Sequence, residues 1–134
     1  GARSAFEVIV VDDGSSDETE TRLRTVPGLR YHRNAENLGF IGACNAGAAI
    51  ARGSFVVFLN NDTVVRPGWL DALLDTFDQH DRVGLVGAKL VYPDGRLQEA
   101  GGIIFSDGSG WNYGRFGDPA NPAFNYVREA DYCS

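Results

Sequence analysis

The stretch FEVIVVDD, residues 6–13, decides the fold class of this chain. Its apolar, mostly β-branched run Phe6–Val11 stops at two acids, as a buried parallel strand does when it reaches a ligand-facing edge. One of the serines at 15–16 can cap a helix that runs to about Arg24. A second short strand at 29–32 follows, so the sequence predicts a βαβ unit and an α/β protein.

The remaining pattern continues this alternation and then becomes rich in strands and loops. The small residues of 37–51 predict a helix that packs closely on its neighbours, and Phe55–Leu59 predicts a strand. Pro67 opens an amphipathic helix. The last part of the chain predicts strands at Val83–Tyr92 and Arg96–Phe105 joined by a Pro93-Asp94-Gly95 turn, a loop over 106–125, and the start of a strand at Tyr126–Cys133.

Composition limits the partners that the chain can have. The 134 residues fit one domain and carry a net charge of −6, and the basic residues are scattered. This distribution argues against binding to nucleic acid, which needs clustered Lys and Arg. No apolar run is long enough to cross a bilayer. Cys44 and Cys133 have neither a CxxC partner nor a nearby His, so a reducing cytoplasm is the expected location, at the inner face of the membrane through other regions of the parent if the protein is held there at all.

Acids follow two of the predicted strands, at Asp12-Asp13 and at Asp62. In open α/β sheets ligands bind beyond the carboxyl ends of the strands. A carboxylate at that edge can accept hydrogen bonds from a nucleobase, and another can hold a divalent ion against a diphosphate. Local roles are the alternatives, because Asp12 to Ser15 also suits a strand-to-helix turn and Asn60 to Thr63 also suits a helix cap.

Three motifs in this order resemble the inverting glycosyltransferases of family two. They are VIVVDDGSSDET (8–19), NLGFIGACNAGAAIARG (37–53), and FVVFLNNDT (55–63) followed by a Pro-Gly-Trp-Leu helix. The later segments VGAKLVYPDGRLQEAGGIIF and WNYGRFGDP are similar to the rhamnosyltransferase-like bacterial branch that builds surface polysaccharides. The resemblance implies a GT-A type α/β fold, with a mostly parallel sheet flanked by helices, and transfer of a sugar from a nucleotide-diphospho-sugar to a hydroxyl.

The resemblance also assigns site residues. It implies that Asp12, with Asp13 beside it, contacts the donor base, and that the acidic motif of the family falls on Asn60, Asn61 and Asp62. In that motif Asp62 is the main ligand for Mg²⁺ or Mn²⁺ and Asn60 departs from the family's acid. The full set of donor-binding candidates is Asp12, Asp13, Asn37, Gly39, Asn45 and Asn61, and the metal candidates are Asp62 and Asn60. A pyrimidine donor, UDP- or dTDP-sugar, and a glycan or lipid-linked acceptor are the implied partners.

Two family features are not found in the sequence. The family begins with an apolar strand that precedes the equivalent of Phe6 and lies inside the sheet, and it places its general base beyond the equivalent of Ser134. We therefore expect one partial domain over 1–134, with about 1–92 binding the nucleotide-sugar and about 93–134 starting the acceptor side. We expect the fragment to be inactive alone, and its unpaired strand edges to favour a homodimer or strand exchange.

Two other readings remain open at this point. A receiver-like phosphoacceptor signalling domain also places paired acids at a sheet edge, and Asp12-Asp13, Asp62 and Lys89 mimic that layout loosely. The material between these residues does not fit the regular spacing of a receiver. A nucleotide-binding module without turnover is the second alternative. Nucleotidyltransferases share the sheet and the metal, but their basic, glycine-rich N-terminal loop is not visible here.

Overall fold

The computed structural model describes residues 2–133. The chain separates into two compact units, Ser4–Val64 and Val65–Ser134 together with Gly1–Arg3. The elements in chain order are β1 Val8–Asp12, α1 Thr19–Leu23, β2 Leu29–Arg33, α2 Gly39–Ile50, α3 Trp69–Gln79, β3 Leu90–Val91, β4 Leu97–Glu99, β5 Gly102–Ile104, β6 Gly110–Asn112, and a 3-10 turn at Pro122–Phe124.

The unit Ser4–Val64 is built on the parallel pair of β1 and β2. Val8 lies opposite Leu29 and Asp12 opposite Arg33, so both strands end at the same edge. This pairing confirms the predicted βαβ unit. Helix α2 packs against β1 through Gly47, where an added Cβ would lie 3.0 Å from the Val11 Cγ2 atom. The small residues of α2 therefore allow the close approach that the sequence predicted.

Helix α1 differs from its prediction at its start. It covers only Thr19–Leu23, its N-cap is Glu18, and no side chain caps it. The expectation that a serine at 15–16 caps this helix is therefore wrong. The physical reason is that the Ser15 N–H donates to Asp12 Oδ1 at 2.7 Å, so this loop turns back toward β1 before the helix begins.

The predicted strand Phe55–Leu59 is also wrong. No regular secondary structure is assigned to Val56–Leu59, and their apolar side chains are 43–59% exposed. A strand exists only when its backbone groups pair with another strand. Within residues 2–133 the paired strands of this unit are β1 and β2 alone, so the β-propensity of the segment is not satisfied by a ladder.

The unit Val65–Ser134 begins with α3 and continues with two short antiparallel hairpins. Helix α3 confirms the predicted helix after Pro67. Strands β3 and β4 pair across a turn in which Tyr92 N–H donates to the Arg96 carbonyl at 2.8 Å, which confirms the Pro93-Asp94-Gly95 turn. Gly95 has φ 89°, a conformation that favours glycine. Leu97 in β4 is fully buried and marks the core here.

The second half of this unit is more divided than its sequence predicted. The expected strand Arg96–Phe105 is two strands, β4 and β5, separated at Gly101, which has φ 91°. Strand β6 and the 3-10 turn lie inside the region 106–125 that we expected to be a loop. The region 126–133 forms a single bridge, in which Tyr132 pairs with Gly102. The division into donor and acceptor parts near residue 92 stays a prediction.

Candidate functional site

The carboxylate of Asp12 lies buried at the shared end of β1 and β2. Its side chain has 0% exposed surface, and three donors surround it. Ser15 N–H donates to Oδ1, while the Tyr31 hydroxyl and Arg33 Nη1, the latter at 2.8 Å, donate to Oδ2. A buried carboxylate is stable only when its oxygens are satisfied in this way. Asp12 therefore has the local turn role considered above, and it also links the two strands.

The hydrogen bonds shift the pKa values of the groups that share them. The Tyr31 hydroxyl and then the Ser15 donors hold the pKa of Asp12 well below its ordinary value. Burial, followed by the hydrogen bond to Asp12, raises the pKa of Tyr31. The hydrogen bond with Tyr31 raises the pKa of Arg33, with the charge of Asp12 contributing. At neutral pH Asp12 is therefore an anion that faces a neutral phenol and a cation.

Asp13 is arranged differently, because part of its surface remains exposed. Its Oδ1 accepts hydrogen bonds from Asn34 Nδ2 at 2.7 Å and from Leu38 N–H at 2.9 Å. Its Oδ2 shares the Leu38 N–H at 3.1 Å. The Asn34 amide, and next the Leu38 amide, lower the pKa of Asp13. Leu38 is the N-cap of α2, so the carboxylate lies at the positive end of a twelve-residue helix.

The loop around Asn37 closes against the loop that follows β1. Gly14 has φ +82°, and a Cβ added there would lie 3.2 Å from the Asn37 backbone nitrogen. Only glycine fits both conditions without strain. The Asn37 side chain accepts a hydrogen bond from Gly39 N–H at 3.1 Å. The structure thus brings together three of the predicted donor-binding residues, Asp13, Asn37 and Gly39.

Asp12, a fourth predicted donor-binding residue, lies next to Asp13 at the end of β1, whereas Asn45, Asn60, Asn61 and Asp62 form no contact with this group among the described residues. Asn45 is exposed on α2, two positions before Gly47, which faces β1. The Asn60 backbone carbonyl accepts from Thr63 N–H at 3.3 Å and from the Thr63 hydroxyl at 2.7 Å, which places Asn61 and Asp62 at the tip of a turn. The N-cap of α3 is Gly68, and no side-chain hydrogen bond caps this helix. The helix-cap alternative for Asn60 to Thr63 is therefore wrong.

Sequence reasoning missed Tyr31, Arg33 and Asn34. Arg33, the last residue of β2, binds Asp12, the last residue of β1, and Asn34, which follows β2, binds Asp13, which follows β1. Arg33 Nη2 also donates to the Ser15 carbonyl at 2.6 Å and so fixes the loop between them. A usable signal was present, because neighbouring parallel strands end at one edge and polar residues follow both of them.

A comparison with protein families identifies the chain. The family model of glycosyl transferase family 2 matches residues 2–129. The chain belongs to glycosyl transferase family 2. The α/β architecture with a parallel strand pair and flanking helices agrees with the GT-A type fold that this membership implies. The receiver alternative is therefore set aside.

Relatives of this glycosyltransferase-family chain include proteins of bacterial polysaccharide synthesis. An uncharacterized protein of Sinorhizobium fredii, y4gI, is 40% identical over 105 residues, which cover 74% of this chain and 11% of that protein. The O-antigen biosynthesis protein RfbC of Myxococcus xanthus is 46% identical over 61 residues, which cover 45% of this chain and 5% of that protein. The succinoglycan biosynthesis protein ExoO of Rhizobium meliloti is 39% identical over 74 residues, which cover 54% of this chain and 21% of that protein. The chain thus spans less than a quarter of the length of each of these three relatives.

No solved structure matches the chain. Among residues 2–133, none of the helices has the length and apolar character needed to span a membrane. The same residues contain no cluster of three or more His, Cys, Asp or Glu side chains that could hold a metal ion by themselves.

The role of Asp12 gives a testable expectation about stability. Because its pKa is lowered in the folded state, Asp12 stabilises the fold above its ordinary pKa of 3.8, and that contribution is lost as the pH falls below this value. Asp12→Asn should lower the Tm by several degrees at pH 7 and flatten the fall of Tm between about pH 5 and pH 3. Differential scanning calorimetry measures both quantities.

The matched control is Asp78→Asn, which changes an exposed acid on α3. It should leave the Tm and its pH dependence close to those of the unmodified chain. An Asp12→Asn variant that behaves like this control would show that the carboxylate does not hold the strand ends together.

Proposed function

We propose that this chain is the donor-binding part of a larger glycosyltransferase that acts in surface polysaccharide or glycan biosynthesis. The observation that carries the proposal is the edge where Asp13, Asn37 and Gly39 meet at the N-terminus of α2. Family membership supports the nucleotide-diphospho-sugar as the ligand class. The relatives RfbC and ExoO, by their names, support the biosynthetic setting.

Within this site we assign contact with the nucleotide base to Asp13 and a supporting role to Asp12. Both oxygens of Asp12 are occupied and its side chain is fully buried. Asp13 is partly exposed, and its Oδ2 receives the longer branch, 3.1 Å, of a shared hydrogen bond from Leu38 N–H. A carboxylate with free accepting capacity suits the imide N–H of a pyrimidine, so UDP- or dTDP-sugars are the proposed donors.

We propose that Asp62 holds a divalent ion, Mg²⁺ or Mn²⁺, together with oxygens of the donor diphosphate. Its carboxylate is exposed and forms no hydrogen bond or ion pair with the described residues, so its oxygens are available. Asn60 and Asn61 add amide oxygens beside it. Hard oxygen donors fit these ions, which keep several other ligands from substrate and water. When bound, the ion would stabilise negative charge on the departing diphosphate.

The proposed reaction transfers the sugar to a hydroxyl of a glycan or lipid-linked acceptor, at the cytoplasmic face of a membrane. In that reaction the residues of this chain bind and orient the donor. Asp13 fixes the base, while Asp12, Tyr31 and Arg33 keep the edge rigid so that the donor is held in one geometry. We assign the general base that deprotonates the acceptor to no residue of this chain.

We propose further that the segment Val56–Leu59 associates with a second copy of the chain when the protein is alone in solution. Its apolar side chains are 43–59% exposed, and it has high β-propensity without a strand partner in the described residues. Light scattering at increasing concentration should show dimers, and Val57→Lys should shift them to monomers. Monomers at every concentration tested would contradict this association.

The donor site predicts a nucleotide preference that thermal shift can measure. Ligands that bind only the folded state stabilise it. UDP or dTDP at millimolar concentration should raise the Tm of the chain more than ADP does, because the pyrimidine imide N–H can donate to the Asp13 carboxylate. Asp13→Ala should weaken that binding about tenfold or more, since it removes a charged hydrogen-bond acceptor. Asp78→Ala is the matched control. Equal shifts for the Asp13 and Asp78 variants would contradict the proposed site.

The proposed ion site predicts a metal-dependent increment in the same assay. Mn²⁺ should add to the stabilisation by UDP, because the ion neutralises the diphosphate. Asp62→Ala should abolish this increment and leave the metal-free shift unchanged, whereas Asp62→Glu should keep part of it. If Asp62→Ala retained the full increment, Asp62 would not be the ligand.

A further inference from the structure

The carboxylate of Glu20 connects helix α1 to the end of β2. Its Oε2 atom lies 3.3 Å from Arg33 Nη1, and its Oε1 atom accepts a hydrogen bond from Arg24 Nε at 2.9 Å. The side chains of Glu20 and Arg33 are 39% and 33% exposed, so this ion pair is partly open to solvent and to salt. Glu20 thus bridges the arginine at the C-cap of α1 and the arginine that ends β2.

Five side chains form a closed ring of contacts that includes the buried carboxylate of Asp12. Arg33 Nη1, which pairs with Glu20, also donates to Asp12 Oδ2 at 2.8 Å. On the other side, the Arg24 guanidinium lies 4.9 Å from the centre of the Tyr31 ring, and the Tyr31 hydroxyl donates to Asp12 Oδ2. Glu20 is therefore linked to Asp12 by two routes, one through Arg33 and one through Arg24 and Tyr31.

Glu20 is a member of this ring whose charge can be removed without leaving a buried charge unpaired. When its carboxylate is neutralised, Arg33 still pairs with Asp12, and Asp12 keeps its other hydrogen bonds. What is lost is the restraint that α1 places on the Arg33 guanidinium. That guanidinium also donates to the Ser15 carbonyl, so its position affects both the Asp12 carboxylate and the loop that follows β1.

We propose that Glu20 is a positioning residue, which acts through Arg33 to hold the strand-end edge of Asp12 and Asp13 in the geometry that donor binding requires. The choice of ligand rests on the proposed function, whereas the restraint on the edge does not. Within residues 2–133 Glu20 makes no hydrogen bond or ion pair with Asp13, so its effect on a bound nucleotide is indirect. Partly exposed ion pairs are individually weak, so we expect binding to change by a few-fold and not to be lost.

Glu20→Gln tests the proposal, and Glu18→Gln is the matched control. Both variants remove one acid near the start of α1, but Glu18 pairs with Arg22 at 2.8 Å and has no ion pair with β2 among the described residues. The first readout is the exchange rate of the Ser15 amide in protein without nucleotide, since this N–H donates to Asp12 Oδ1. Glu20→Gln should accelerate this exchange about threefold, Glu20→Asp should accelerate it less, and Glu18→Gln should leave it unchanged.

The second readout is the affinity for UDP, measured by NMR titration. At low ionic strength Glu20→Gln should weaken binding about threefold. Glu18→Gln should not weaken it, because loss of an acid elsewhere only reduces repulsion of the diphosphate. In about 1 M NaCl the two variants should converge, since salt screens the ion pair of Glu20 with Arg33. A defect in packing alone would persist at high salt.

The two readouts separate this inference from the proposed function. Equal Ser15 exchange in the Glu20 and Glu18 variants would overturn the positioning role, and so would a difference between them that is as large in about 1 M NaCl as at low salt. If the unmodified chain failed to bind UDP, the proposed donor site would be wrong. The exchange of the Ser15 amide, measured without nucleotide, would still decide whether Glu20 holds the edge.

Discussion

The buried contact of Asp12 with Tyr31, Arg33 and Ser15 is the interaction on which the edge proposed to bind the donor depends. It joins the ends of the parallel strands β1 and β2 and the loop after β1, so it fixes the position of Asp13. Asp13 can then reach Asn34 and the N-terminus of α2. The Arg33 guanidinium offsets the negative charge of Asp12, which would otherwise act more strongly on the like charge of the neighbouring Asp13.

The adjacent acids Asp12 and Asp13 thus differ in burial and in hydrogen bonding, a difference that the sequence motif does not show. Asp12 is inaccessible and stabilises the edge, whereas Asp13 keeps accepting capacity and partial exposure. We therefore expect removal of the buried Asp12 carboxylate to lower stability, and removal of the partly exposed Asp13 carboxylate to lower the proposed affinity for the nucleotide. The turn at Asn60 to Thr63 shows the same contrast. The hydrogen bond between Asn60 and Thr63 stabilises the turn, whereas the Asp62 side chain is exposed at its tip.

Periodicity and turn chemistry predicted the elements whose partners lie nearby in sequence. The βαβ unit, α2, α3 and the Pro93-Asp94-Gly95 turn depend on local signals and are confirmed. The predictions that were wrong concern backbone groups whose hydrogen-bond partners a sequence pattern does not specify. Val56–Leu59 has the composition of a strand but no ladder, and Ser15 uses its N–H for Asp12 instead of capping α1. Tyr31 and Arg33 were missed because their role depends on register, which pairs Asp12 with Arg33.

The central claim is that a nucleoside diphosphate binds at the edge formed by Asp13 and the N-terminus of α2. The most direct test is a ¹⁵N NMR titration of the full chain with UDP. The account predicts saturable shifts concentrated in the Asn34 side-chain amide and the Leu38 and Gly39 backbone amides, which lie on or beside the Asp13 carboxylate. Saturable shifts confined to residues 65–133, or no shift at these three amides, would contradict it.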